Sequence, residues 1–246
     1  MNTHGSKVAL VTGASRGIGA AIARRLARDG FSVAVNYAGN TERAEALVRE
    51  IEQAGGRAIA LQADVGEAGA VRSLFEAVQA AFGGLDVLVN NAGIISLSPL
   101  AELSDDDFDR LVAVNLKGSF HTMREAARQL RPGGRIVNFS SSVVGLRQPG
   151  YGAYAATKAA IEALTSVLAK ELRGRAVTVN AIAPGPTATD LFFSGKSAEL
   201  IEHYTHMAPL ERLGTPEDIA AAVAFLVGPD GGWINGQTLR ANGGLV

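Results

Sequence analysis

The sequence predicts an α/β protein: a parallel sheet, doubly wound, with helices on both faces. Three observations carry this. Short apolar runs alternate with longer helical patterns along the whole chain. The runs are apolar at successive positions rather than at every second one, the mark of strands covered on both faces. Glycine is abundant, at 29 of 246 residues, and it clusters at the ends of the runs, where tight turns and close approach need it. Strand–helix units joined by right-handed crossovers then give a doubly wound sheet of about seven strands.

In chain order, Val8–Val11 is the first strand, and Ile18, Ala21, Ile22 and Leu26 recur at helical spacing up to Gly30. Strands follow at 31–37, 57–62 and 85–89, separated by helices at 41–54 and 67–82. A long helix is expected over 104–130, with a local kink near Gly118. Strands at 135–139 and 176–182 flank a helix at 151–173, and a helix at 216–227 precedes a short strand at 237–240. Ser104 before Asp105, Asp106 and Asp107 reads as a helix cap with favourable charge. Thr215, Pro216 and Asp218 read likewise. The least regular stretch is 184–213, and no linker or repeat divides the chain, so one domain is expected.

Composition narrows the function classes. Apolar residues are 47% and charged residues 19%, which excludes a disordered chain. A net charge of −1, from 23 basic and 24 acidic residues, offers no basic face for nucleic acid. No cysteine is present, which removes disulfides, thiolate metal sites and a cysteine nucleophile. His203 and His206 lack a third ligand and read as surface residues; no metal is expected. Residues 1–7 lack an apolar signal core, and no stretch approaches about 18 apolar residues. A cytoplasmic protein is expected.

The chemistry gathers where the strands end. Between the first strand and first helix lies Thr12-Gly13-Ala14-Ser15-Arg16-Gly17-Ile18-Gly19. Here Gly13 permits the turn, Gly17 lets a pyrophosphate approach the backbone, and Gly19 packs helix on strand, with phosphates meeting free N–H groups at the helix start. A plain turn is the competing explanation. Asp64-Val65, Asn90-Asn91-Ala92-Gly93 and Pro184-Gly185-Pro186-Thr187 follow later strands and share that edge of the sheet. The second strand ends in Asn36-Tyr37-Ala38-Gly39 with no acid to repel a 2′-phosphate, and Arg16 could pair with one. Tyr154 and Lys158 lie one turn apart on one helical face. A nearby ammonium would lower the phenol pKa and suit it to proton exchange with a carbonyl or alcohol oxygen. The serine run 140–142 supplies a hydroxyl to hold that oxygen.

Together these motifs resemble the short-chain dehydrogenase/reductase family, from about Lys7 to Gly244 and in the family's order. Within it the chain looks most like the 3-oxoacyl-acyl-carrier-protein reductase-like carbonyl reductases. The resemblance implies a Rossmann-type fold and hydride transfer between NADP(H) and a ketone or aldehyde, a 3-oxoacyl thioester being one candidate. It makes Tyr154 the general acid and has Lys158 lower its pKa and hold the nicotinamide ribose. It gives Asn115 a water that relays protons from Lys158, and one serine the carbonyl. Ungapped alignment from Gly134-Arg135 selects Ser141; the Ser-x-x-Gly pattern ending at Gly145 selects Ser142. Ser141 is the choice here. Tyr151 is a weaker acid candidate because Ala155 stands where a lysine is needed.

The resemblance further implies that Gly13, Ser15, Arg16, Gly17, Ile18 and Gly19 bind cofactor. So would Asn36, Tyr37, Ala38, Asp64, Val65, Asn91, Ala92 and Gly93. Pro184, Gly185 and Thr187 would meet the carboxamide, and Thr189 the phosphates. It implies a lid at about 187–213, apolar through Leu191, Phe192, Phe193, Tyr204 and Met207 and suited to an aliphatic or aromatic ketone. It implies a homotetramer or homodimer, with helices 104–130 and 151–173 at one interface. Two rivals stand beside this: a non-catalytic NADP(H)-sensing regulator on the same fold, and an epimerase or dehydratase of the longer, extended branch.

Overall fold

In the computed structural model, which describes residues 6–246, the apolar runs become strands β1 (Val8–Val11), β2 (Ser32–Tyr37), β3 (Arg57–Gln62), β4 (Leu85–Asn90), β5 (Leu130–Phe139), β6 (Thr178–Pro184) and β7 (Thr238–Ala241). They form one parallel sheet in the order β3-β2-β1-β4-β5-β6-β7. The order reverses between β1 and β4, which opens a crevice at their carboxyl ends. Residues 1–5, part of the expected polar N-terminus, lie outside the described residues. Among the described residues no helix is long and apolar enough to cross a membrane.

Helices α1 (Gly17–Arg28), α2 (Thr41–Gln53), α3 (Ala68–Phe82), α4 (Asp105–Leu111), α5 (Gly118–Gln129), α6 (Val143–Leu146), α7 (Gly152–Glu171), α8 (Asp190–Phe193), α9 (Ala198–Met207) and α10 (Pro216–Val227) complete the chain. Alternation along the strands divides the core in two. Ala9, Val11, Val33 and Val35 face α1, α2 and α10 through Ile22, Leu47 and Val223. Val8, Leu10 and Leu88 face α3, α5 and α7 through Phe75, Met123 and Ile161. The expected caps form: Ser104 accepts from Asp107 N at 3.1 Å, and Thr215 and Asp218 make a reciprocal capping box.

The long helix departs from expectation. It opens into a π turn over Val112–Lys117 before resuming as α5, so the irregularity begins before Gly118 and is a widened turn. Gly118 itself permits close approach, because a Cβ there would lie 2.7 Å from Val65 Cγ2. The strand expected from 176 starts at Thr178, since Ala176 turns the chain at φ 56°. The irregular stretch after Pro184 contains α8 and α9, each short and each capped by a side-chain oxygen, Thr189 or Ser197.

Polar residues occupy the core where β4 and β5 meet α5 and α7. Asn90 Nδ2 donates to Asn138 Oδ1 at 2.8 Å, and Thr122 Oγ1 donates to Asn90 Oδ1 at 2.6 Å. Asn138 Nδ2 donates onward to Thr165 Oγ1 at 2.9 Å. Each bond compensates a buried polar group. Asn138→Ala should therefore destabilise the fold by roughly 1–3 kcal/mol, since Asn90 Nδ2 loses its acceptor. An unchanged urea midpoint would show that the network is dispensable.

Candidate active site

Two adjoining cavities, about 470 and 220 Å³, lie at the carboxyl edge of the sheet. The glycine turn forms the floor of the larger one. Gly13 adopts φ 61°, open to glycine at little cost, and a Cβ there would sit 2.8 Å from Ala92 Cα. A Cβ on Gly19 would meet Gly13 O at 2.6 Å. The turn is held from both sides. Asn91 Nδ2 donates to Thr12 O and Gly13 O at 2.9 and 3.0 Å, and Gly13 N donates to Asn36 Oδ1 at 3.3 Å. Beyond it α1 begins at Arg16 with no capping side chain and no acid in its first turn. Its free N–H groups thus face the cavity, as a bound pyrophosphate requires.

The remaining residues expected to bind cofactor line the two cavities. Ser15, Arg16, Gly17, Ile18, Tyr37, Ala38, Asp64, Val65, Ala92 and Gly93 all line the larger cavity. Asn36 lines it too, but its amide is engaged from below, donating to Leu61 O and Ala63 O at 3.3 and 3.1 Å. A carboxylate at 36 would face those carbonyls. The first exposed residue after β2 is Ala38, so an acid reaching the cavity belongs there. Pro184, Gly185, Thr187 and Thr189 line the smaller cavity. Thr187 Oγ1 already donates to Gly185 O at 2.9 Å, and Thr189 caps α8.

The smaller cavity holds Tyr154 and Lys158, the expected acid–base pair. Tyr154 and Lys158 project from one face of α7, with Lys158 Nζ 5.7 Å from the Tyr154 ring. Nζ donates to Phe139 O at 2.9 Å, at the end of β5. The structure reverses the expected effect on the phenol. Burial pushes Tyr154 up to about 12, opposed by the nearby Ser141 hydroxyl. Burial also lowers Lys158 to about 8. Desolvation is the dominant influence on the phenol, which keeps its proton through the neutral range.

The serines separate by partner. Ser140 Oγ donates to Glu162 Oε1 at 2.6 Å. Ser142 Oγ donates to Ala183 O at 3.2 Å and accepts from Asn242 Nδ2 at 2.9 Å. Ser141 Oγ accepts from Val143 N at 3.4 Å, and Ser141 lines the smaller cavity together with Tyr154. Tyr151 lines the same cavity but turns its hydroxyl to Tyr204 of α9, at 3.1 Å. Asn115, fully buried in the π turn, donates to Ile94 O at 2.9 Å and to Thr157 Oγ1 at 3.3 Å, and accepts from Ile94 N at 2.8 Å. A Cβ on Gly93 would lie 3.3 Å from Asn115 Oδ1 and 3.5 Å from Lys158 Nζ. The bare glycine therefore leaves the two groups facing each other.

The segment over the cavities is less apolar than expected. Leu191, Phe192 and Tyr204 line the smaller cavity, but so does Lys196. Sequence reasoning missed Lys196 because an irregular segment has no periodicity to say which side chain turns inward. Asp190 pairs with Arg43 of α2 at 3.3 Å, tying the segment across the larger cavity.

Two outcomes follow. Ser142→Ala should lower stability by about 1 kcal/mol, because Asn242 loses its acceptor; Ser141→Ala, which removes only a long 3.4 Å bond from Val143 N, should lower the urea midpoint less. For Lys158, folded and unfolded chains both carry the charge below pH 8, and its burial opposes folding in full. Between about 8 and 10.5 the unfolded chain binds more protons than the folded one, so stability rises with pH. Urea titrations across that window should show wild type gaining on Lys158→Met. Parallel curves would contradict the burial argument.

A family model described as Enoyl-(Acyl carrier protein) reductase matches residues 13–246. The NADPH-dependent aldehyde reductase-like protein, chloroplastic, of Arabidopsis thaliana is 43% identical over 270 residues, covering 100% of both chains. The 3-oxoacyl-acyl-carrier-protein reductase FabG of Staphylococcus aureus is 45% identical over 242 residues, covering 98% of each. A short-chain dehydrogenase from Burkholderia cenocepacia, solved in complex with NADP, superposes with a TM-score of 0.92 at 45% identity, covering 98% of each chain. With the glycine turn, the strand order and the Ser141–Tyr154–Lys158 cluster already in place, these matches identify the chain as a member of the short-chain dehydrogenase/reductase family.

Proposed function

We propose that this protein is an NADP(H)-dependent oxidoreductase that interconverts a ketone or aldehyde and its alcohol. The observation that carries the reading is that Ser141, Tyr154 and Lys158 line one cavity adjoining the glycine turn and the uncapped start of α1. The cofactor supplies hydride when bound. The chain does the rest. N–H groups of α1 and the glycine turn hold the pyrophosphate, and Arg16 pairs with the 2′-phosphate. Ser141 and Tyr154 hydrogen-bond the substrate oxygen, and Tyr154 gives it a proton as charge develops there. Lys158, fixed against Phe139 O, sets the local charge and binds the cofactor ribose, and Asn115 steadies the Ile94 backbone beside it. Residues 187–213 act as the lid. The NADP complex of the Burkholderia protein and the NADPH dependence in the Arabidopsis protein's name support the cofactor choice.

A non-catalytic regulator would not need Ser141, Tyr154 and Lys158 together in one cavity, and no feature favours that alternative. Exposed Phe108, Phe120 and Val167 on α4, α5 and α7, with Trp233 beside β7, suit contacts between copies in a homotetramer or homodimer.

The test is oxidation of NADPH, followed by absorbance, over a panel of ketones, aldehydes and a 3-oxoacyl thioester. Turnover of at least one carbonyl is expected. Tyr154→Phe should lose about 10²–10⁴ in rate while NADPH titration stays normal, and Tyr151→Phe should keep the hydride step. NADPH binding without oxidation by any carbonyl would overturn the reading. For cofactor choice, Ala38→Asp should lower kcat/KM for NADPH relative to NADH through repulsion of the 2′-phosphate. A ratio equal to wild type would move phosphate recognition elsewhere.

A further inference from the structure

The substrate cavity carries an unbalanced charge. Among the described residues that line it stand two lysines, Lys158 and Lys196, and no carboxylate. Lys158 is bound to Phe139 O beneath Tyr154. Lys196 comes from the lid, between α8 and α9, and is half-buried. It donates one hydrogen bond, to Phe192 O at 2.6 Å, and its ammonium lies 4.8 Å from the centre of the Phe192 ring. An ammonium has three donors, so two remain for a partner. Some cations of the fold pair with a carboxylate, Arg131 with Asp86 at 2.9 Å and Arg128 with Glu125 at 3.2 Å; what sets Lys196 apart is its place on this cavity.

The surroundings of Lys196 are aromatic. The Phe192 ring meets the Tyr204 ring edge-on at 5.6 Å, and the Tyr204 hydroxyl reaches Tyr151 at 3.1 Å. This path runs from the lid to the start of α7, and hence to Tyr154. A cation held against rings loses hydration that a single carbonyl does not restore, and the burial lowers its pKa. An anion would restore it through a charge-assisted hydrogen bond.

We infer that Lys196 recognises a carboxylate on the substrate, so that the preferred substrate is a keto acid with an apolar or aromatic body between its carbonyl and its acid group. The carbonyl end faces Ser141 and Tyr154, and the acid end reaches the lid. This assignment rests on the carbonyl-reductase reading for what happens at the carbonyl, but the binding preference is separable from it. A purely structural Lys196, capping the carbonyl of Phe192, would stabilise the lid without distinguishing an acid from its ester.

The test compares 4-oxo-4-phenylbutanoate with its methyl ester, by calorimetric titration into the NADP⁺-loaded protein. Wild type should bind the acid about tenfold more tightly or better, the effect of one hydrogen bond to a charged group. Lys196→Met should bring the acid down to the ester's affinity and leave the ester unchanged; Lys196→Arg should keep the preference. Acid binding no tighter than ester binding in wild type, including no binding of either, overturns the inference. So does a preference that survives Lys196→Met. Should that variant fail to fold, the wild-type ratio and Lys196→Arg still decide. NADPH oxidation is scored separately: an acid bound tightly through Lys196 in a protein that oxidises NADPH with no carbonyl sinks the reductase reading and leaves Lys196 as an anion site.

Discussion

The hydrogen bonds of Asn91 to Thr12 O and Gly13 O tie the turn after β1 to the end of β4, at the point where strand order reverses. From the other side Asn36 takes the N–H of Gly13 and anchors itself on the strand beyond. The turn between β1 and α1 is therefore stretched between its two neighbouring strands. The absence of Cβ atoms lets this happen, because Gly13 lies against Ala92 and Gly19 against Gly13 O. With the turn fixed, the N-terminus of α1 is aimed into the larger cavity. Every role given to the cofactor-facing residues depends on that aim.

A second polar set places the acid–base groups. Asn90, Thr122, Asn138 and Thr165 join β4 and β5 to α5 and α7 inside the core. Such a network tolerates little slippage, because each displaced member would leave a buried polar group unpaired. Tyr154 and Lys158 ride on α7, and Ser141 follows β5, so the network sets their spacing. The same burial sets their protonation. Desolvation keeps the Tyr154 phenol protonated and makes Lys158 easier to discharge. The pair works through environment as much as through mutual attraction.

The segment after β6 is held more lightly. Its ties to the body include an exposed ion pair, Arg43–Asp190, and the tyrosine pair Tyr151–Tyr204. Exposed ion pairs contribute little, about 0–1 kcal/mol. Leu191, Phe192, Lys196 and Tyr204 of this segment line the smaller cavity. Its lysine gives the cavity a charge that its leucines and phenylalanines do not advertise.

Much of the molecule was legible in order along the chain. Apolar runs, helix caps and glycines act over a few residues, so the strands, the α1 turn and the Tyr154–Lys158 face could be located from local pattern. Seven strands and their common edge followed from the repeat. Local pattern stops where a side chain's partner lies far along the chain. Asn36 looked like a ligand position, yet its amide is taken by residues 61 and 63. Serines 140 to 142 look alike in sequence; Glu162, Ala183 and Asn242 tell them apart. The phenol pKa was expected to fall because the nearby lysine was visible and the surrounding burial was not. The sequence alone determined most of the groups that line the site, Lys196 excepted. Tertiary packing decided which of them stayed free, how each was charged, and that Lys196 faced inward, because desolvation and hydrogen-bond satisfaction are properties of the assembled core.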